Sequence, residues 1–532
     1  MILPHNPPSR MNKTAPPAYD STGYYSNPQY AAPQQAPYYA PQGYAPQGQP
    51  AAVPQYAYAQ PAVAAQQVAP APAPDSYAQA SSNHQPDLEN PKSNCRNPIC
   101  AFVFVAQMIA VLAIGIYFIR QDHQVSFSVS AKTGKLIAAM VVGVGVAAAA
   151  GLAFLEYARR AEGKVVFMGF VSTMIYFIAG SVICFAYGSA VGGALFLVVI
   201  LLNWLWYYCV RSRVRLTEAI IHSSTQGLRE YWGVYVVAFT MVIVTAAWMV
   251  FWAFAVIYTL GDTQAQENED GKNRNGAIGA GMCGFVLSLY WCAQVFMNIS
   301  HTTTAGSIGM WWYNPGARDG VTKNAFYRAS VWSLGSIAFG SFIVAALETL
   351  RFIIRSMARR SRGSEAILAC ILLCILGCIE RWVEYFNVYA YTLVGLYGYD
   401  YLEAARQTSE LFKSRGFDLI INDNLSGLVI FCGTLISGAA AALVGGVAFY
   451  MGDKDNFGHT TGSAVAFFFL LFFVGICTGS ILMAQLSSAI CTTFVIWAQD
   501  PAEMERNRSG WYGKLRDARN NYESEESKRE NE

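Results

Sequence analysis

The sequence predicts an all-α fold: a polytopic bundle of about ten transmembrane helices behind a disordered N-terminal tail. Three observations carry this reading. Charged residues make up only 13% of the 532, against roughly 25% in soluble globular chains. Hydrophobic residues reach 54% and mean hydropathy is +0.28. Above all, apolar runs of about 20 residues recur, which is the length a helix rising about 1.5 Å per residue needs to cross the hydrocarbon core.

Residues 1–94 differ in kind from the rest. They are rich in Pro, Tyr, Gln and Ala, with near-repeats such as Pro41-Gln42-Gly43-Tyr44 and Pro46-Gln47-Gly48-Gln49. Without aliphatic side chains to offset ordering entropy, this stretch reads as a disordered cytoplasmic tail. Within it Pro16-Pro17-Ala18-Tyr19 has the PPxY form of a WW-domain ligand, whose prolines pre-set a polyproline II turn. One reading makes Pro16, Pro17 and Tyr19 a recruitment site for a WW-domain ubiquitin ligase; the other is chance in a Pro/Tyr-rich tract. The first apolar run begins near Ile99, too late for a cleavable leader, and reads as an uncleaved signal anchor.

Hydropathy places spans at 99–119, 136–157, 165–187, 191–210, 234–260, 277–298, 329–350, 366–386, 425–451 and 462–484. They make residues 95–500 a membrane domain, followed by a charged cytoplasmic tail over 501–532. Arg159, Arg160 and Lys164 follow the second span, and Arg211, Arg213 and Arg215 the fourth, so these loops are expected to be cytoplasmic. Residues 261–276 carry Asp262, Glu267, Glu269 and Asp270 and are expected outside; an even count then puts both termini in the cytoplasm. Arg351, Arg355, Arg359, Arg360 and Arg362 follow the seventh span, where alternation demands the exterior. Either a re-entrant or interfacial piece lies within 297–365, or the positive-inside rule fails there. Gly143, Ala147 and Gly151, and Gly433, Gly438, Gly445 and Gly446, mark helices thin enough for close packing.

Several function classes are excluded or left without support. A net charge of +2 carries no nucleic-acid signature. No Walker A run, GxSxG elbow or HExxH occurs, so neither an ATP-driven pump nor a soluble hydrolase is indicated, and no cofactor is implied. Cys370, Cys374 and Cys378 share a helical face, but no partner His or second Cys pair stands nearby to close a metal site, so small-residue packing is the preferred account.

Charges inside membrane helices default to function. Glu348 lies near the end of the seventh span; Glu380, Arg381 and Glu384 close the eighth, with Glu380 and Glu384 sharing a face at i, i+4. The competing reading sets this group at the interface with Arg381 snorkelling to headgroups. Trp248, Trp252, Tyr290 and Trp291 lie within spans and Trp311 follows the sixth. A cage of such faces binds a quaternary ammonium by cation–π attraction, though aromatics at helix ends also anchor the interface.

Two blocks resemble a known family. One is Thr302-Thr303-Thr304-Ala305-Gly306-Ser307-Ile308-Gly309-Met310-Trp311-Trp312-Tyr313 followed by Gly335-Ser336-Ile337-Ala338-Phe339-Gly340-Ser341. The other is Phe386-Asn387-Val388-Tyr389-Ala390-Tyr391, then Leu396-Tyr397-Gly398, Arg415-Gly416 and Ile421-Asn422-Asp423. In this order they resemble the choline transporter-like family of solute carriers, most closely its fungal "pH nine sensitive" branch. The resemblance implies a bundle of ten or so helices in the plasma membrane, cytoplasmic termini, and choline or a related amine as solute. Animal members carry a large Cys-containing loop after the first helix, whereas residues 120–135 here are short and hold no Cys. The expected function is transport of a small cation such as choline, without ATP hydrolysis or enzymatic activity, in contact with membrane lipid. Its rivals are a channel or scaffold with no carrier cycle and a membrane-embedded enzyme acting on lipid. The expected solute site draws on Trp248, Trp252, Tyr290, Trp291, Trp311 and Glu348.

Overall fold

A computed structural model of the chain describes residues 95–121, 131–161, 164–270, 275–359, 364–452 and 461–530. Pro16, Pro17 and Tyr19 lie outside the described residues. Within them the elements are helices: α1 (Pro98–Gln121), α2 (Ala131–Arg160), α3 (Val165–Ala186), α4 (Ala190–Val210), α5 (Val214–Glu230), α6 (Gly233–Asp270), α7 (Asn275–Tyr313), α8 (Val321–Tyr327), α9 (Leu334–Ala358), α10 (Ser364–Tyr397), α11 (Tyr401–Gly452), α12 (Thr461–Gln499) and α13 (Pro501–Glu530). Ten of the described helical stretches are long and apolar enough to cross a membrane.

Each apolar run becomes a spanning helix because only a helix satisfies its own backbone groups inside a bilayer. α3 and α4 turn tightly at Gly188 (φ 78°) and present Ile175, Val182, Leu195, Leu201 and other exposed aliphatic side chains, as lipid-facing surfaces require. The small residues read from the sequence do bring helices together. A Cβ on Gly151 of α2 would meet Leu482 of α12, and one on Gly433 or Gly438 of α11 would meet Met483 or Ile476 of the same helix. α2, α11 and α12 thus pack as one group, while α7 packs against α6, α9 and α10. A second close crossing joins α7 to α10, where a Cβ on Gly395 would stand 2.6 Å from the Thr302 carbonyl oxygen.

Four helices run well past the ends that hydropathy assigns. α7 continues to Tyr313, α10 to Tyr397 and α12 to Gln499, and α11 begins at Tyr401. α10 stops where Gly398 takes a left-handed φ of 65°. α9 is uninterrupted from Leu334 to Ala358; the irregular piece near it is α8 with the π-turn Arg328–Trp332, which precedes the helix. Arg351 and Arg355 therefore sit on a full-length helix, Arg360 and Arg362 lie outside the described residues, and Arg351 turns inward to an ion pair with Glu380.

α5 is not a span. Thr217, Ile220, Ile221, Ser224, Gly227 and Leu228 are buried along one face, the spacing of an amphipathic helix, and it packs on α2, α12 and α13. Residues 501–530, expected as a charged tail, form α13, two helical stretches joined by a kink at Arg508 (φ −140°, ψ 57°), which docks through buried Met504 and Leu515. Arg508 Nε donates to the Trp311 carbonyl and its guanidinium stands 3.9 Å from the Trp311 ring centroid. Arg96 Nε donates to the Gly398 carbonyl (3.2 Å), and the Tyr313 and Tyr397 hydroxyls are 3.0 Å apart. Arg96 and α13 therefore lie at the same end of the bundle.

Candidate functional site

α7, α9 and α10 bring three carboxylates together inside the bundle. One oxygen from each of Glu348, Glu380 and Glu384 lies within 4.8 Å of the others. Glu380 and Glu384 are one helical turn apart on α10 and so face the same neighbour; Glu348 meets them from α9. Arg351, one turn beyond Glu348, donates to Glu380. Gln294 of α7 hydrogen-bonds Glu348, whose Oε2 is buried with no partner of its own. Arg381, on the same helix as Glu380, is exposed. The sequence sets Glu380, Arg381 and Glu384 at the end of a span. The structure corrects that placement: α10 extends another three and a half turns past Glu384 to Tyr397, so the acidic pair is in mid-helix. Hydropathy ends the span there because Glu380, Arg381, Glu384 and Asn387 depress a sliding average, not because the helix stops.

Further along the same helices toward the Arg508 end lies a belt of buried polar side chains. His301 of α7 sits 2.7 Å from Ser488 Oγ of α12, 3.0 Å from the Val388 carbonyl and 3.1 Å from Thr392 Oγ1 of α10. Tyr389 donates to Asp423 of α11 at 2.5 Å, and Thr304 donates to Gln485 of α12 at 2.6 Å. Tyr401 donates to Asn387 at 2.5 Å, and Asn298 to Ser341 at 3.0 Å. Each bond joins different helices or distant parts of the chain, so the belt fixes helix register where apolar packing alone is permissive.

A family model described as "Plasma-membrane choline transporter" matches residues 194–502, more than half of the chain and all of both polar layers. The chain belongs to the choline transporter-like family. Among its relatives is Protein PNS1 of Mycosarcoma maydis, 27% identical over 429 residues that cover 77% of this chain and 80% of the relative. Protein PNS1 of Cryptococcus neoformans var. neoformans is 31% identical over 342 residues, spanning 61% of each chain. A CTL-like protein of Dictyostelium discoideum is 26% identical over 371 residues, 68% of this chain and 62% of that one. With ten apolar helices among its described residues, the chain is a multi-pass membrane protein of a transporter-like family.

In this member of the family the aromatic residues read from the sequence divide into two places. Trp291 of α7 packs edge-on against Phe104 (5.4 Å) and Phe342 (5.0 Å) and donates to the Ala338 carbonyl at 2.8 Å. It lies about one turn from Gln294 on α7, while its own α9 contacts, Ala338 and Phe342, stand ten and six residues before Glu348. Trp248 is buried on α6, where Trp252 donates to the Phe285 carbonyl at 2.7 Å; Tyr290 is half-buried beside Trp291. Trp311 stands apart. It is twenty residues from Trp291 on one helix, about 30 Å along the axis. Its indole N–H donates to Glu230 at 2.7 Å and Arg508 already covers its ring. Trp311 thus anchors α13 and is not brought to Trp291 or Glu348. Near this end, outside the spans, burial raises the Asp500 carboxyl above the ordinary carboxylate range.

His301 and Gln485 have no place in the sequence reading, and Asn387 and Asp423 enter it only within the family blocks, without a role of their own. A usable signal existed: His301, Asn387 and Asp423 stand within three residues of expected span ends, where polar residues cut the apolar windows short.

Proposed function

We propose that this protein carries a small organic cation, choline or a close chemical relative, across the plasma membrane with both termini in the cytoplasm and without ATP hydrolysis. The observation that carries the reading is the group Glu348, Glu380 and Glu384, gathered within 4.8 Å in mid-bundle with one arginine paired to it. Three carboxylates against Arg351 leave a negative surplus where charge is costly. A passing cation relieves it. An ammonium group shielded by methyls sheds its water readily and is held by charge and aromatic faces rather than by directed hydrogen bonds. Trp291, next to Gln294, is the aromatic residue best placed to assist. The His301 belt then lies on the way to the Arg508 end, and its paired hydroxyls and amides would let a gate close without leaving polar groups orphaned.

Uptake into vesicles holding the purified chain tests this. Choline should enter saturably, tetramethylammonium should compete, and a neutral isostere should not. Glu384→Gln should cut uptake at least about tenfold with the protein still inserted, since one unpaired charge of the surplus is removed. Uptake of neutral and cationic solutes alike, or uptake unchanged by Glu384→Gln and Glu348→Gln, would overturn the cation reading. Flux that never saturates would favour the channel alternative.

A further inference from the structure

We propose that α2, α5 and α6 form a binding site for one anionic phospholipid, in the leaflet at the Arg508 end of the bundle. Between these helices runs a groove of about 550 Å³. Its walls are apolar: Leu152 and Leu155 on α2, Val236, Phe239 and Ile243 on α6, with Leu482 of α12 as floor. One end is the opposite in character, formed by Glu156, Arg159, Arg229 and Trp232.

The dimensions suit a lipid. From Trp232 to Ile243 the groove follows eleven residues of chain, about 16 Å along a helix, and half of a hydrocarbon core is about 15 Å. Trp232 is 65% exposed at the charged end, the level at which amphipathic indoles collect. Val236 and Ile243 are exposed too, so the trough opens sideways to acyl chains instead of being a sealed core defect.

The charges select the sign. Arg159 donates to Glu156 at 2.9 and 2.6 Å, Arg160 at 2.6 Å and Arg229 at 2.8 and 2.6 Å. One carboxylate thus faces three guanidiniums, a formal surplus of two positive charges. Three guanidiniums carry far more N–H donors than a carboxylate has lone pairs, and a phosphate matches the remaining forks. Arg229 is also shared with a second cavity of about 400 Å³, lined by Gln226, Glu230, Tyr231 and Arg318. That space meets the charged end of the trough at Arg229 and gives room for a headgroup with hydrogen-bonding substituents. A zwitterionic headgroup would bring its own cation against the arginines, whereas serine- or inositol-bearing headgroups leave net negative charge.

The test is titration of the full-length protein in detergent, read by native mass spectrometry, with three probes. These are dioctanoyl phosphatidylserine, dioctanoyl phosphatidylcholine, and glycerophosphoserine, which lacks the chains. The expected result is about tenfold tighter binding of phosphatidylserine than of phosphatidylcholine and no retained glycerophosphoserine. Arg229→Gln should abolish the preference, Arg160→Gln, at a 70% exposed side chain, should weaken it severalfold without endangering the fold, and Ile243→Trp should block both lipids by filling the trough. Equal binding of the two lipids, or a preference that survives both arginine variants, overturns the proposal. Glycerophosphoserine binding as well as the intact lipid overturns it in favour of a site for a soluble anion.

Discussion

Two charged clusters in this molecule have inverted compositions. In mid-bundle three carboxylates, Glu348, Glu380 and Glu384, surround Arg351; at the end of α2 three arginines, Arg159, Arg160 and Arg229, surround Glu156. The stoichiometry is the same but the setting is not. The Glu380 side chain is 10% exposed and the cluster lies between spanning helices, where low dielectric makes every uncompensated charge expensive. At the end of α2 the contrast lies in the outer arginines: Arg160 and Arg229 are 70% and 54% exposed, where water, salt and headgroups compensate them, while Glu156 at 31% is as covered as Arg351 at 30%. The acidic cluster falls within the stretch that the family model matches, and Glu156 and its two neighbours on α2 fall outside it. The difference teaches that an ionic cluster is read by where its surplus sits. A surplus in the interior demands a counter-charge that comes and goes, and a surplus at the surface has one always at hand.

Removing the arginine in direct contact with the interior cluster should have the largest effect. Arg351→Met leaves Glu380 buried without its partner, a change that costs about 3–5 kcal/mol for a buried pair. The melting temperature in detergent should fall steeply, and Arg351→Lys should restore part of it. A melt unchanged by Arg351→Met would mean that Glu380 is neutral or solvated, and the contrast between the clusters would collapse.

The aromatic neighbour comes next. If Trp291 offers its face to the solute, Trp291→Leu keeps apolar bulk but removes the ring quadrupole. The half-saturation concentration should rise by about five- to thirtyfold, corresponding to about 1–2 kcal/mol. Trp291→Tyr should lose less. An unchanged half-saturation point at normal surface abundance would leave Trp291 as a packing residue bonded to Ala338. At the other end, Arg508→Gln should loosen α13, because it removes both the bond to the Trp311 carbonyl and the cation–π contact. The expected loss is about 0.5–2 kcal/mol of docking, seen as faster proteolysis beyond Pro501 with uptake little altered.

Much of this architecture was legible in the chain, and its blind spots share one cause. The ten spans stand out because a sliding average measures transfer from water to lipid, which α1, α3 and α4 experience over most of their surface. α7, α10, α11 and α12 are different. His301, Asn387, Asp423 and Gln485 each meet a polar partner on another helix, respectively Ser488, Tyr401, Tyr389 and Thr304, so their transfer cost is cancelled by hydrogen bonds that no single-helix average contains. Spans were therefore ended where the interior begins. The same error set Glu380 and Glu384 at an interface that is three and a half turns away. α5 was missed for a related reason, since it alternates polar and apolar faces and no window of it is apolar throughout. Trp311 and Trp291 share the same sequence signature but stand twenty residues apart on one helix, and the partner of Trp311, Arg508, lies 197 residues later in the chain.

The smallest expected effect sharpens the comparison most. Glu156→Gln is the surface counterpart of Arg351→Met, since each removes the residue of minority charge that is directly ion-paired in its cluster. At the end of α2 the three arginines that lose their carboxylate are free to turn to water and phosphates, and surface pairs contribute little to stability. Melting should therefore stay within the scatter of replicate measurements. The positive surplus, however, grows from two to three next to the trough. Each basic charge near a membrane surface strengthens anionic-lipid attraction by a few-fold, so Glu156→Gln should tighten phosphatidylserine about two- to fivefold while phosphatidylcholine is unaffected. A stability loss as deep as that of Arg351→Met would show that Glu156 holds the α2, α5 and α6 junction together by itself, and that exposure is not what separates the two clusters. A tightening confined to the anionic lipid, with no change in melting, would show the same stoichiometry serving as structure in the interior and as recognition at the surface.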